Sequence, residues 1–248
     1  MHIDIKPVSR DMLASRKSDR RCLGKSALEV PLDLRGLEQA VLHEIIAVPG
    51  DSAAATGFCT ALALSAAGSA EPIVWVQDAA ARVEAGSFYG TGLASLGLNP
   101  ERITLVSPRN VMDALRIGIE AARSPAVGAV IIETMDKGQL IDLTATRRLT
   151  LASEKSRVTV FLLRVAGVAG PSAAWTRWRV GPAASGAPPG IDGAQTTAGP
   201  QYDIALLRHR GGMGEMCWQV EWDSEKQAFA QTLHRPVVPP TVSGRLAA

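Results

Sequence analysis

The chain has 248 residues, 46% of them apolar, and a formal net charge of +2, which excludes a disordered polyelectrolyte and gives room for one α/β core with a peripheral extension rather than two full domains. Its three cysteines, Cys22, Cys59 and Cys217, are odd in number and form no C-x-x-C pair, so neither a disulfide framework nor a zinc site is expected. The charged N-terminus has no apolar signal core, and the uncharged run from Ser52 to Ala70 is built of small residues rather than Leu and Ile. A cytoplasmic location is expected.

Charge is unevenly distributed. Residues 1–25 hold seven Lys/Arg against three Asp, residues 147–179 hold seven against Glu154 alone, and residues 71–142 hold nine acids and six bases. Such a split suits a chain with one face turned to a polyanion, and equally an unevenly solvated surface.

In chain order, Val41 to Val48 (VLHEIIAV) reads as a strand, and Ala53 to Ala67 as an Ala/Leu-rich helix that Gly68 closes in the left-handed position. Pro72 to Gln77 is a second buried strand, Gly90 to Gly97 a short helix and Arg102 to Val106 a third strand. From Asn110 to Arg123 the apolar residues Met112, Leu115, Ile119 and Ala122 share one helical face. Val127 to Glu133 is a nearly unbroken apolar run, as a strand covered on both sides requires. Asp142 can cap a helix to about Arg157, and Val158 to Arg164 is another buried strand. This alternation predicts an α/β fold with a mostly parallel sheet and helices on both faces.

Beyond Arg164 the pattern changes. Trp175 to Val180 (WTRWRV) alternates like a strand exposed on one face. Asp203 to Arg210 and Met216 to Trp222 flank GGMG as a hairpin, with Trp218, Val220 and Trp222 on one side. An antiparallel C-terminal extension of the sheet is therefore expected.

The ordered set LHEIIAVPGDSAAATGF, PIVWVQ, GSFYGTGLASLGLNPERITLV, VGAVIIE, LTATRRLTLASEKSRVTVFLLR and PSAAWTRWRV, spanning roughly Leu37 to Asp223, resembles the ImuA family. These are RecA-like accessory proteins of a damage-inducible bacterial mutagenesis cassette. The resemblance implies a RecA-like core over residues 36–180, preceded by a basic extension (1–35). A Gly/Pro/Ala-rich loop (181–200), a C-terminal β-hairpin (201–234) and a Pro-rich tail (235–248) would follow. The implied role is non-catalytic, in SOS-induced error-prone translesion synthesis. The implied partners are an inactive Y-family-like polymerase homologue, an error-prone replicative-type polymerase and RecA, with a nucleoid association after damage; weak contact with single-stranded DNA is the expectation from the basic run Arg147 to Arg179 with Trp175 interleaved. The alternative is a division inhibitor similar to SulA that binds the tubulin-like division protein.

A phosphate-binding loop needs glycines to wrap the phosphates, a Lys to neutralise them and a hydroxyl for Mg²⁺. Here the β–α junction reads PGDSAAAT. With Thr56 in the hydroxyl position, Ala55 stands in place of the Lys, Ala54 in place of a Gly, and Pro49 in place of the first Gly. Glu133 falls where an acid would hold Mg²⁺, and Asp78 is the remaining acid near the second strand. The expectation is a degenerate nucleotide site formed by Gly50, Asp51, Ser52, Thr56 and Glu133, with no cofactor, no metal and no catalytic residue. Trp175, Arg177 and Arg179 on one strand face, with Arg164, Arg208 and Arg210, are the candidate contacts for nucleic acid or a partner. His43 is expected to be a strand residue rather than a base.

Overall fold

The computed structural model describes residues 37–68, 70–136, 140–166, 170–183, 199–212 and 215–231. The expectations for 1–35, for most of 181–200 and for 235–248 lie outside the described residues.

Nine described strands form one sheet: β1 (Leu42–Ala47), β2 (Ile73–Gln77), β3 (Ile103–Val106), β4 (Ala129–Met135), β5 (Thr159–Ala166), β6 (Thr176–Pro182), β7 (Gln201–His209), β8 (Met216–Asp223) and β9 (Ala228–Gln231). Their order is β3-β2-β4-β5-β1-β6-β7-β8-β9. The first six run parallel and β7 to β9 antiparallel. Five helices accompany them among the described residues: α1 (Ser52–Ala66), α2 (Ala79–Ala85), α3 (Gly90–Ser95), α4 (Val111–Ala122) and α5 (Leu143–Ser156). This is the parallel sheet with an antiparallel extension that the sequence pattern predicts.

Strand parity divides the apolar residues into two layers. On one face Ile45, Trp75, Ile131, Phe161 and Leu163 pack with Phe58 and Leu62 of α1, Ala81 of α2 and Leu93 of α3. On the other, Leu42, Val130, Ile132, Val160 and Leu162 pack with Leu115 of α4 and Leu149 of α5. The first layer continues past β1 into Trp178, Val180, Tyr202, Ile204, Trp218 and Trp222. The alternation seen in WTRWRV and MCWQVEW thus turns Trp178 and Val180, and Trp218, Val220 and Trp222, towards the α1 side. Helix α1 is buried from Phe58 to Leu64 because it packs on the central strands and on this aromatic layer of the same sheet, with the Phe58 ring 5.8 Å from that of Tyr202 and 5.1 Å from that of Phe229.

Local signals set the boundaries. Asn110 caps α4 by accepting from the Asp113 N–H, and Asp142 caps α5 by accepting from the Ala145 N–H. Gly68, at φ +61°, takes the left-handed position after α1. Three elements escape the sequence pattern, one of them the 3-10 turn Pro100–Arg102 that precedes β3. Helix α2 is a single short turn set whose N-cap is Asp78, and β9 carries too few residues for a period to show.

Candidate functional site

The β1–α1 junction is a four-residue turn. Val48 and Asp51 bridge each other, the Asp51 N–H donates to the Val48 carbonyl at 3.0 Å, and Gly50 sits at φ +80°. Pro49 followed by a positive-φ Gly is the arrangement of a type II turn. Helix α1 then begins at Ser52. Asp51 is its N-cap residue but makes no side-chain capping bond, and it is the only charged residue between Val48 and Thr56. The Thr56 hydroxyl, one turn into the helix, is buried and has no partner among the described residues.

Glu133 lies in β4, beside Gln77 of β2, and is 1% exposed. Its Oε2 accepts from the Trp75 indole N–H at 2.9 Å and from the Gln77 amide at 3.2 Å. Oε1 is buried without a described partner. Burial pushes its carboxyl up to about 7, against the two hydrogen bonds, and the neighbouring Asp78 adds to the rise. Burial, then the charge of Glu133, raises the Cys59 thiol of α1 in turn. Asp78 is used structurally: its two oxygens accept from the Ala81 and Met135 N–H groups.

The opposite face holds a carboxylate of the other kind. Glu44 of β1 is fully buried, yet Arg177 reaches its Oε2 at 2.8 Å and Arg164 its Oε1 at 3.4 Å. Arg164 also lies 3.5 Å from Asp136 and donates to the Ile141 carbonyl. Asp136 accepts from the Leu140 and Ile141 N–H groups. Arg177 donates to the Gly170 carbonyl at 2.7 Å. One ion network therefore clamps the chain after β4 and the chain after β5 to the C-terminal ends of the central strands.

This placement corrects one expectation. Arg164, expected at a contact surface, is 3% exposed and committed to the network, so no nucleic acid or partner reaches it in this conformation. Arg177 is 15% exposed and serves the same cluster. Arg208 donates to the Ser172 carbonyl. Arg179 shares the strand face of Arg177 and pairs in register with Ala205. Only Trp175 and Arg210 form an open pair of the expected kind: Trp175 precedes β6, and the Arg210 guanidinium lies 5.9 Å from its ring centre and 3.9 Å from Glu154.

His43 is a strand residue. It is 0% exposed, its Nε2–H donates to the Glu38 carbonyl at 2.8 Å, and its Nδ1 accepts from the Thr176 hydroxyl at 2.7 Å. The carbonyl can only accept, which fixes the tautomer. Burial lowers its pKa to about 4 despite the carbonyl contact, which raises it. No sequence pattern marks Asp136 or Thr176 as partners in these buried contacts, whereas an acid inside the apolar run LHEIIA is a legible sign that a buried cation must face it.

With that geometry in place, comparison with known proteins decides the fold. Across 88% of this chain and 97% of the other, the structure is similar to the crystal structure of the RadB recombinase, with a TM-score of 0.51 at 15% sequence identity. The fold is RecA-like. In sequence, the chain is 33% identical over 150 residues to Protein ImuA of Caulobacter vibrioides, from strain NA1000 / CB15N and equally from strain ATCC 19089 / CB 15. The match covers 56% of this chain and 56% of each relative, so the chain spans about half the length of the curated relatives it matches. The resemblance read from the sequence motifs is thus met by an ImuA similarity in the aligned part. No family model matches the chain. No helix among the described residues is long and apolar enough to cross a membrane.

Proposed function

We propose that this chain is a non-catalytic RecA-like accessory protein of damage-induced, error-prone translesion synthesis. It would bridge a Y-family-like polymerase homologue, an error-prone replicative-type polymerase, and RecA or single-stranded DNA. Similarity to ImuA supports the cassette role. The observation that carries the non-catalytic part is the closed turn from Val48 to Asp51.

A RecA-like fold implies ATP and Mg²⁺ at the β1–α1 junction, and these residues do not fit them. A four-residue turn has too few free N–H groups to wrap a triphosphate, no Lys stands in the segment, and Asp51 brings a negative charge to the helix N-terminus where a phosphate would lie. Glu133, held by Trp75 and Gln77 and pushed by burial towards its neutral form, is a poor Mg²⁺ ligand. What remains for use is surface. The Trp175–Arg210 pair offers a base-stacking plane with an adjoining cation, a combination that suits weak, salt-sensitive contact with a single strand.

The test has a biochemical and a cellular arm. Purified protein should show neither heat of binding nor turnover with Mg²⁺-ATP, and deletion of its gene should abolish ultraviolet-induced mutagenesis without slowing undamaged growth. Turnover that disappears in Glu133→Ala would falsify the non-catalytic reading. Normal induced mutagenesis in the deletion strain would transfer support to the division-inhibitor role.

A further inference from the structure

Helix α5 buries Thr146, Leu149, Thr150, Ala152 and Ser153 against the sheet. An ordinary surface helix would then turn only polar residues outwards. This one does not. Leu143 is 51% and Leu151 54% exposed, and with Arg147 between them they follow one another at i, i+4 and i+8 along a single outward stripe. Leu140, just ahead of the helix, is 49% exposed. Arg148 and Lys155 are exposed beside the stripe, and its two neighbouring acids are both engaged: Asp142 accepts from the Ala145 N–H and Glu154 faces Arg210 at 3.9 Å. Two half-exposed leucines thus share this face with three exposed cations.

We infer that the outward face of α5 is a protein-docking surface whose occupant is an acidic amphipathic helix. The charge of the face selects that occupant. Leucines supply what a nucleic acid cannot use, since phosphates and sugars gain little from aliphatic side chains, whereas a helix with apolar residues at i, i+3 or i+4, and i+7 seats them against such a stripe. Arg147 within the stripe and Arg148 and Lys155 beside it then face carboxylates of the docked helix, which steers the encounter and fixes its direction. The face adjoins the Trp175–Arg210 corner through Glu154, so one partner on α5 and a strand at that corner would be neighbours. The inference does not depend on the translesion reading, because it concerns this surface whatever the protein's pathway.

The experiment uses the full chain. A display library of random 20-residue helical peptides is selected on it. The enriched peptides are then measured against the wild type, against the double variant Leu143→Ser/Leu151→Ser and against Arg147→Glu/Arg148→Glu, with binding to a (dT)20 oligonucleotide measured in parallel and folding checked by circular dichroism. The expected result is a consensus of acids flanking helically spaced apolar residues, with at least tenfold weaker binding to both variants. (dT)20 binding should survive the leucine changes. Peptides that bind the leucine variant as well as the wild type would overturn the inference. So would the absence of any acidic consensus, or a face whose charge reversal removes (dT)20 binding while no peptide depends on its leucines, which would make it a nucleic-acid surface.

Discussion

Glu44 and Glu133 sit in neighbouring parts of one sheet, both in central strands and both buried, yet they solve burial differently. Glu44 has two guanidinium partners and sits in a four-residue ion network, whereas Glu133 has only an indole and an amide and is driven towards its neutral form. The difference lies in the cations. On the α1 side Glu133 meets no cation among the described residues. On the α5 side the charges are matched and tie two loop bases together.

The contrast breaks most visibly at Glu44. Glu44→Ala strands Arg164 and Arg177 without their central carboxylate, a loss of about 3–5 kcal/mol, read as a shifted urea midpoint. A cost below about 1 kcal/mol would mean the network is replaceable by solvent. The next test sets His43 against Glu133 by pH. His43 titrates near 4 in the folded chain and near 6.5 unfolded, so the unfolded state takes up the proton first and stability falls as pH drops from 6.5 to 4, by on the order of 3 kcal/mol. His43→Gln should remove this acid-side loss.

Glu133 runs the other way. Its folded value of about 7 lies above the ordinary 4.5, so its contribution is complete below 4.5 and is lost as pH rises through 7, again by on the order of 3 kcal/mol at most. In the wild type the two slopes oppose each other over the same window. Denaturation curves from pH 4 to 8 should therefore be shallow for the wild type, falling with pH in His43→Gln and rising in Glu133→Gln. A flat curve for His43→Gln would show that Glu133 is not held towards its neutral form. The smallest effect calibrates the helix that covers the paired cluster: Asp142→Ala removes the cap of α5 and should cost about 1 kcal/mol in thermal or chemical unfolding.

The sequence made the parallel core legible because strands buried on both sides are apolar along most of their length, as in AVIIETM and TVFLLRVA, and because Asn110, Asp142 and Gly68 are residues whose side chains or missing Cβ act locally. It also made the faces of β6 and β8 legible, since a period of two reports which side chains enter the core. What period and composition do not carry is pairing across the chain. Arg164 and Arg177 look like surface cations in a basic run, and only the register of β5 and β6 on either side of β1 brings them to Glu44, more than a hundred residues earlier. The same holds for Glu133, whose partners Trp75 and Gln77 come from a neighbouring strand.

The position of α1 has a kinetic consequence. Its Phe58 touches Trp178 of β6, Tyr202 of β7 and Phe229 of β9, and Trp222 of β8 donates its indole N–H to the Leu96 carbonyl just beyond α3. The antiparallel strands are thus the outer wall of the helix that follows β1, although more than a hundred residues separate them in the chain. A ribosome that has released only the first two thirds of this protein holds an α1 with one side open. The amides of α1 should become protected from hydrogen exchange only when β7 to β9 have emerged, and in the finished protein they should exchange with the slowest, globally unfolding set.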